Sequence, residues 1–141
     1  MRRLMPLALA LAMVPAMASA QDPATKIAGI DWQLLAIDGQ ETDAPATMRL
    51  EADGTLAGSA PCNRWSTMNR ATLPDLSLGG IRATRMACDR LDDEQKFFEA
   101  LAAMTSMALD GDRNLVLNGP DGRSMEFVIE RPVCKTCKQG G

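Results

Sequence analysis

The chain of 141 residues contains no histidine and no tyrosine, and only two tryptophans and three phenylalanines. Without histidine there is no Ser-His or Cys-His nucleophile pair, no ordinary proton shuttle near neutral pH, and not the commonest metal ligand. Catalysis would have to run on carboxylates, lysine or cysteine alone, so the expectation is a protein that is not an enzyme and holds no cofactor. Nor is there a Lys/Arg-rich run, and the formal charge is −3. A mildly acidic chain of this kind lacks the electrostatic footprint for nucleic acid or for an anionic membrane surface. Internal repeats and low-complexity segments are absent as well.

What is present begins with Arg2 and Arg3, an apolar run from Leu4 to Met17, and then Ala18-Ser19-Ala20. A basic start, a short apolar stretch and small residues before a cleavage point predict a secretory signal over residues 1–20, cut after Ala20. The run is shorter than the roughly 20 residues of a membrane span, and Pro6 and Pro15 interrupt it. The arginine pair has no flanking residues to support twin-arginine export. Gln21, not cysteine, occupies the first mature position, which leaves no lipid attachment site. Losing Arg2 and Arg3 without any acid moves the charge from −3 to −3 − 2 = −5. The expectation is a soluble periplasmic protein with no stable membrane anchor. Residues 21–27 read as a flexible polar lead-in, 28–131 as one small domain and 132–141 as a cysteine-bearing tail.

Within the domain, Ile30 to Ile37 reads as a strand with Trp32 and Leu34 on one face, closed by the turn Asp38-Gly39. Met48 and Leu50 alternate with Thr47, Arg49 and Glu51, the pattern of a half-buried strand. The turn at Asp53-Gly54 has two solutions. A two-residue loop would set Glu51 opposite Leu56 and mix the faces. A three-residue loop, Ala52 to Gly54, sets Leu50 opposite Leu56 and gives Gly54 the left-handed position, so the longer loop is predicted. Met68 to Leu73, Leu76 to Ile81 and Arg82 to Met86 read as short strands. A helix is predicted from Leu91 to Met104, with Asp92, Asp93 and Glu94 at its positive end. Its apolar stripe comprises Phe97, Leu101 and Met104, flanked by Phe98 and Ala102. Three more strands follow, at Met107 and Leu109, at Leu115 and Leu117, and at Met125, Phe127 and Ile129. About eight short strands, tight turns and one amphipathic helix predict a small antiparallel α+β domain.

One ordered set of residues runs through these elements: Trp32 with Gly39, Asp53-Gly54, Gly58, Cys62-Asn63-Arg64 with Trp65 next, and Thr84-Arg85-Met86-Ala87-Cys88. It continues with Glu94-Gln95-x-Phe97-Phe98-x-x-Leu101 and Leu115-x-Leu117. The set resembles the META domain, the family that includes the heat-shock protein HslJ, over about residues 28–129. The resemblance implies a β-rich domain with one helix, found in exported bacterial proteins. It also implies an envelope or stress association without established catalysis. Its motif residues fall here on Asn63, Arg64, Trp65, Thr84, Arg85 and Met86. Pro61 departs from the glycine usual before the Cys-Asn pair, and the Cys134-Lys135-Thr136-Cys137 tail lies outside the family pattern.

Export places the four cysteines, Cys62, Cys88, Cys134 and Cys137, in an oxidising compartment where disulfides are the default. Of the three possible connectivities, pairing Cys62 with Cys88 gains about 3.5 kcal/mol from loop entropy, against roughly 2 kcal/mol for Cys134 with Cys137. These two pairings leave no cysteine over. A redox Cys-x-x-Cys would sit at a helix N-terminus, but here it follows Arg131-Pro132 in a glycine-ended tail. A zinc site would want a second Cys-x-x-Cys half, which is absent. Met48, Met68, Met86, Met104, Met107 and Met125 could offer thioethers to copper, yet Met48, Met104 and Met125 already fall on predicted core faces. Asp92, Asp93 and Glu94 are consecutive on a helix and do not face one another, so the helix dipole accounts for them without a metal. Arg64 and Arg85 adjoin the two cysteines and read as donors to loop carbonyls in preference to ligand contacts. The functional expectation is a monomeric, non-catalytic envelope or stress module with an envelope protein or small ligand as partner. A thiol-disulfide or metal handler using Cys134 and Cys137, and a small lipid- or peptide-binding secretion chaperone, are the rivals.

Overall fold

The computed structural model describes residues 15–16 and 21–131; the expected signal segment and the Cys134/Cys137 tail lie outside the described residues, apart from Pro15 and Ala16. The strands are β1 (Trp32–Ile37), β2 (Gln40–Glu41), β3 (Thr47–Leu50), β4 (Thr55–Ser59), β5 (Arg64–Met68), β6 (Arg82–Ala83), β7 (Ser106–Asp110), β8 (Asn114–Asn118) and β9 (Ser124–Val128). The helices are α1 (Pro23–Ile27) and α2 (Leu91–Ala103). They form one open antiparallel sheet in the order β6-β5-β4-β3-β1-β9-β8-β7, with β2 paired to the far end of β1. The chain thus makes two meanders, β1–β6 and β7–β9. Helix α2 joins them and the β1–β9 pairing zips them together.

Alternation puts one face of nearly every strand in the core, and the register brings those faces together. Trp32 pairs with Met48, Leu34 with Phe127, Leu50 with Leu56, Leu117 with both Met107 and Met125, and Leu115 with Phe127. All of these side chains are buried. Helix α2 lays Phe97, Ala100 and Leu101 on the same core, with Met104 just past its end. Cross-strand pairs of this kind are the unit of sheet stability. The methionine reading holds: Met48, Met104, Met107 and Met125 are core filler. Ala102, expected beside the apolar stripe, is exposed.

The turns follow local chemistry. Asp38 and Gly39 both take positive φ (51° and 77°) between the paired Ile37 and Gln40, the mirror-image turn that matches strand twist. The Asp38 carboxylate accepts from Ser124 N and from Arg123, tying this turn to β9. At the next hairpin Leu50 does face Leu56, and Gly54 sits at φ 90°; the alternation of apolar residues identified the three-residue loop. Gly58 has a different reason. A Cβ there would lie 2.0 Å from the Thr47 carbonyl oxygen, so β3 and β4 approach closely only because it is glycine.

Two expectations are corrected, and one strand is added. Residues 21–27 are not a loose lead-in: Asp22 caps α1 by accepting from Ala24 N, and Ile27 is fully buried while its carbonyl receives the Trp32 indole N–H. A capped turn with a buried anchor outweighs the polar composition that reads as disorder. The segments Met68–Leu73 and Leu76–Ile81 do not form strands, beyond an isolated Asn69–Leu78 bridge. Buried Asn69 replaces the ladder: its Oδ1 accepts from Ala71 N and Ser77 N, and its Nδ2 donates to the Ala71 and Asp75 carbonyls. Local side-chain bonding of this sort competes with strand pairing. The loop then reaches across to β7, with Leu76 N donating to Thr105 O and Met107 N to Pro74 O. Finally, Arg64 to Met68, not singled out from the sequence, is the strand beside β4.

Asp38 is held below its ordinary pKa of 3.8, chiefly by the Ser124 amide and then by Arg123. Its contribution is therefore complete above that unfolded value and lost as pH falls through the lower folded value. Urea midpoints are expected to be flat near neutrality and to fall below pH 3.8, with Asp38→Asn shallowing that acid limb. Gly58→Ala should cost roughly 3 kcal/mol in the same assay. Gly80→Ala, where an added Cβ meets nothing within 4 Å, should leave the midpoint unchanged.

Candidate functional site

The segment between β4 and β5 carries Pro61, Cys62 and Asn63 across the start of α2. Its backbone amides would be orphaned by the turn, and a helix residue supplies the acceptor. Glu94 lies three residues before Phe97 and seven before Leu101, on the buried stripe of α2, and is itself buried. One carboxylate oxygen accepts from Cys62 N at 2.7 Å and Asn63 N at 2.8 Å. The other accepts from Asn63 Nδ2 at 2.6 Å. A buried carboxylate needs such donors, and its place in the first turn of α2 adds the helix dipole.

Asn63 carries the network onward. Its Oδ1 accepts from the Thr84 hydroxyl and from Met86 N, and its Nδ2 also donates to Met86 O. Thr84 Oγ1 accepts from Arg64 N, while Thr84 N donates to Arg64 O. The Asn63 side chain thus has four partners, two at each end, the full complement for an amide. Beside it, Cys62 and Cys88 form a disulfide with a Cα–Cα distance of 5.6 Å, as the pairing analysis predicted. Trp65, next in the chain, turns into the core edge-on to Phe97 at 5.7 Å between ring centroids. Its indole N–H meets no acceptor among the described residues, so packing alone holds the ring.

The structure therefore gathers Cys62, Asn63, Trp65, Thr84, Met86 and Cys88 from the predicted motif around Glu94. Two motif residues behave otherwise. Neither Arg64 nor Arg85 donates from its side chain to a loop carbonyl among the described residues, and both are exposed, because Arg64 alternates with buried Trp65 and Arg85 lies on the open edge beyond β6. The role missed from the sequence is that of Glu94, which reads there as a motif residue and a helix-start charge and proves to be the buried acceptor. An acid at helical spacing within the apolar stripe was the available signal, and the two acids before it masked it. Asp92 is exposed, while Asp93 pairs with Arg90, which also reaches Asp43 at 2.8 Å. No cluster of three or more His, Cys, Asp or Glu suited to a metal occurs among the described residues. No helix among them is long and apolar enough to cross a membrane.

The META domain family model matches residues 25–132. The chain belongs to the META domain family. Three solved structures are similar in fold to this chain. An NMR structure of a protein from Burkholderia xenovorans is 23% identical, with a TM-score of 0.59 over 92% of this chain and 99% of that one. A crystal structure of a DUF4847 family protein from Bacteroides vulgatus is 15% identical, with a TM-score of 0.56 over 77% of this chain and 98% of the other. A further NMR structure is 17% identical, with a TM-score of 0.58 over 74% and 92% of the two chains. No curated protein matches the chain.

Glu94→Gln presents an amide N–H₂ where only acceptors fit, leaving at least one buried donor unpaired. It should cost about 3 kcal/mol in urea denaturation, with Asn63→Ala at least as damaging. Removing both Cys62 and Cys88 should cost about 3 kcal/mol as well, and a reductant should reproduce that loss in the wild type.

Proposed function

We propose that this META domain protein is a non-catalytic binding module of the bacterial envelope, exported to the periplasm and associated with stress. The observation that carries the reading is the Asn63–Glu94 network. The polar groups at the motif centre are engaged with one another and with backbone amides, so the motif serves to hold a surface in place. Reactive groups at catalytic centres are instead kept available, as a nucleophile beside its base. Absence of histidine from the whole chain points the same way. The Cys62–Cys88 disulfide supports export, since such bonds persist in oxidising compartments, and the N-terminal twenty residues have the composition of a secretory signal. A structure whose motif is locked suits a partner-binding role better than turnover.

Expression of the full chain in a Gram-negative host should give a periplasmic product beginning at Gln21, with the Cys62–Cys88 peptide pair found by non-reducing mapping. In a strain lacking the protein, envelope-stress survival should be restored by wild type and by the Cys134→Ser/Cys137→Ser variant alike. A cytoplasmic, reduced product would overturn export. Failure of the tail variant alone would move the protein to the thiol handlers.

A further inference from the structure

The chain is acidic overall, yet the stretch from Arg64 to Arg85 contains four arginines and a single acid, Asp75. Ion pairs among the described residues engage Arg49, Arg90, Arg113 and Arg123. Arg64, Arg70, Arg82 and Arg85 take part in none of them. Register places three arginines on the outer face of the sheet. Arg49 faces Ala57, Ala57 faces Ser66, and Ser66 faces Arg82 across β3, β4, β5 and β6. Arg64 precedes Ser66 by two residues, diagonal to Arg82 and within reach of the same ligand. The small Ala57 and Ser66 leave a shallow floor between them. One depression of about 290 Å³ is lined by Arg64, Ser66, Arg82 and Thr84, and a neighbouring one of about 420 Å³ by Thr55, Arg70 and Arg82.

The two ends of the sheet are treated differently. At β7 the Asn69–Leu78 loop covers the edge through the Asp75–Ser106 bridge and the bonds to Thr105 and Met107. Among the described residues no strand lies beyond β6, and every residue from Arg82 to Asp89 is exposed. Thr84 and Arg64 exchange backbone and hydroxyl bonds, so alternation turns the N–H and C=O of Ala83 away from β5. This edge is nonetheless rigidly held: Asn63 grips Thr84 and both backbone groups of Met86, and the disulfide fixes Cys88. Met86 is 64% exposed, an unusual position for a large apolar residue whose backbone is fully tied down.

We propose that the β6 edge docks an extended acidic segment of a partner protein as an added strand. Its backbone would bond to Ala83, carboxylates at every second residue would meet Arg82 and Arg64, and an apolar side chain would rest on Met86. Strand addition to a free edge is an established mode of peptide recognition, and a preformed edge reduces the ordering cost of binding. Arginine offers carboxylates a bidentate fork. Edge charges also serve to prevent aggregation, but that role does not require Arg64, which lies one strand in from the edge, or Arg70 in the loop. The open backbone of β6 favours a peptide over a lipid surface, because a headgroup layer has no use for strand hydrogen bonds. The docking surface rests on the binding-module reading, which is tested separately by export and disulfide mapping.

The probe is a fluorescent peptide of about eight residues alternating Glu and Val, with a Lys-for-Glu counterpart and phosphatidylglycerol vesicles as controls. The purified disulfide-bonded protein should bind the acidic peptide and neither control. Affinity should fall when NaCl is raised from about 0.05 to about 0.5 M. Arg64→Gln/Arg82→Gln should weaken binding about tenfold without changing the melting temperature, since neither side chain has a partner among the described residues. Hydrogen exchange at the Ala83 amide should slow on binding. Absence of acidic-peptide binding would overturn the proposal. So would undiminished binding by the double variant, an Ala83 amide left unprotected, or vesicle binding in its place. Aggregation of the double variant without loss of peptide binding would assign the arginines to edge protection alone.

Discussion

The Glu94 carboxylate is the point on which the motif end of the molecule depends. It sits on α2, between the two meanders in the chain, and takes three hydrogen bonds from Cys62 and Asn63. A buried carboxylate without those donors would carry a desolvation cost of several kcal/mol, and the amides without it would be orphaned. Each side therefore requires the other. Helix and loop dock in one orientation, and Asn63 extends that orientation to Thr84 and Met86. The disulfide adds a covalent closure at Cys88 to a geometry the hydrogen bonds have already set.

Seen from the sheet, the same network has a mechanical consequence. A two-residue edge strand such as β6 has little ladder bonding of its own, and a short isolated pairing is marginal in water. The bonds from Asn63 and the disulfide supply what the ladder lacks, so an exposed segment keeps a fixed shape. At the opposite edge the Asn69-centred loop is fixed by a similar device: a buried amide side chain bonds the chain's own backbone and presses it against β7. Two asparagines thus shape the two ends of the sheet, one leaving its edge open and the other covering it.

The disposition of charge follows from strand alternation. Inward positions are apolar, and the arginines of β3, β5 and β6 must all face outward. Arg49 meets Asp31 and Glu51 there, whereas Arg64 and Arg82 find no acid on the strands beside them. Exposed ion pairs contribute little to stability, so leaving two arginines unpaired costs the fold almost nothing. The outer face can therefore hold cations for binding without weakening the core beneath it.

Much of this was legible in the amino-acid order. Period-two alternation located Met48, Leu50, Leu115, Leu117, Met125 and Phe127 in the core, and the Leu50–Leu56 facing identified the three-residue loop at Gly54. The cysteine arithmetic identified the Cys62–Cys88 pair. Those features depend on near neighbours, or on a chain-entropy term that needs only the sequence separation. What was not legible depended on side-chain hydrogen bonds and packing partners that periodicity does not name. Glu94 reads as a helix-start charge until the Cys62–Asn63 amides, more than thirty residues away, are placed against it. Asn69 reads as one residue of a strand from Met68 to Leu73 until its side chain is seen to replace the ladder. Ile27 reads as the end of a polar tail until Trp32 and the rest of the core close over it. Local periodicity by itself determined which strand and helix faces turn inward. Only the tertiary structure decided which polar groups could be buried with them, because burying a polar group is costly unless a hydrogen-bond partner is delivered to it.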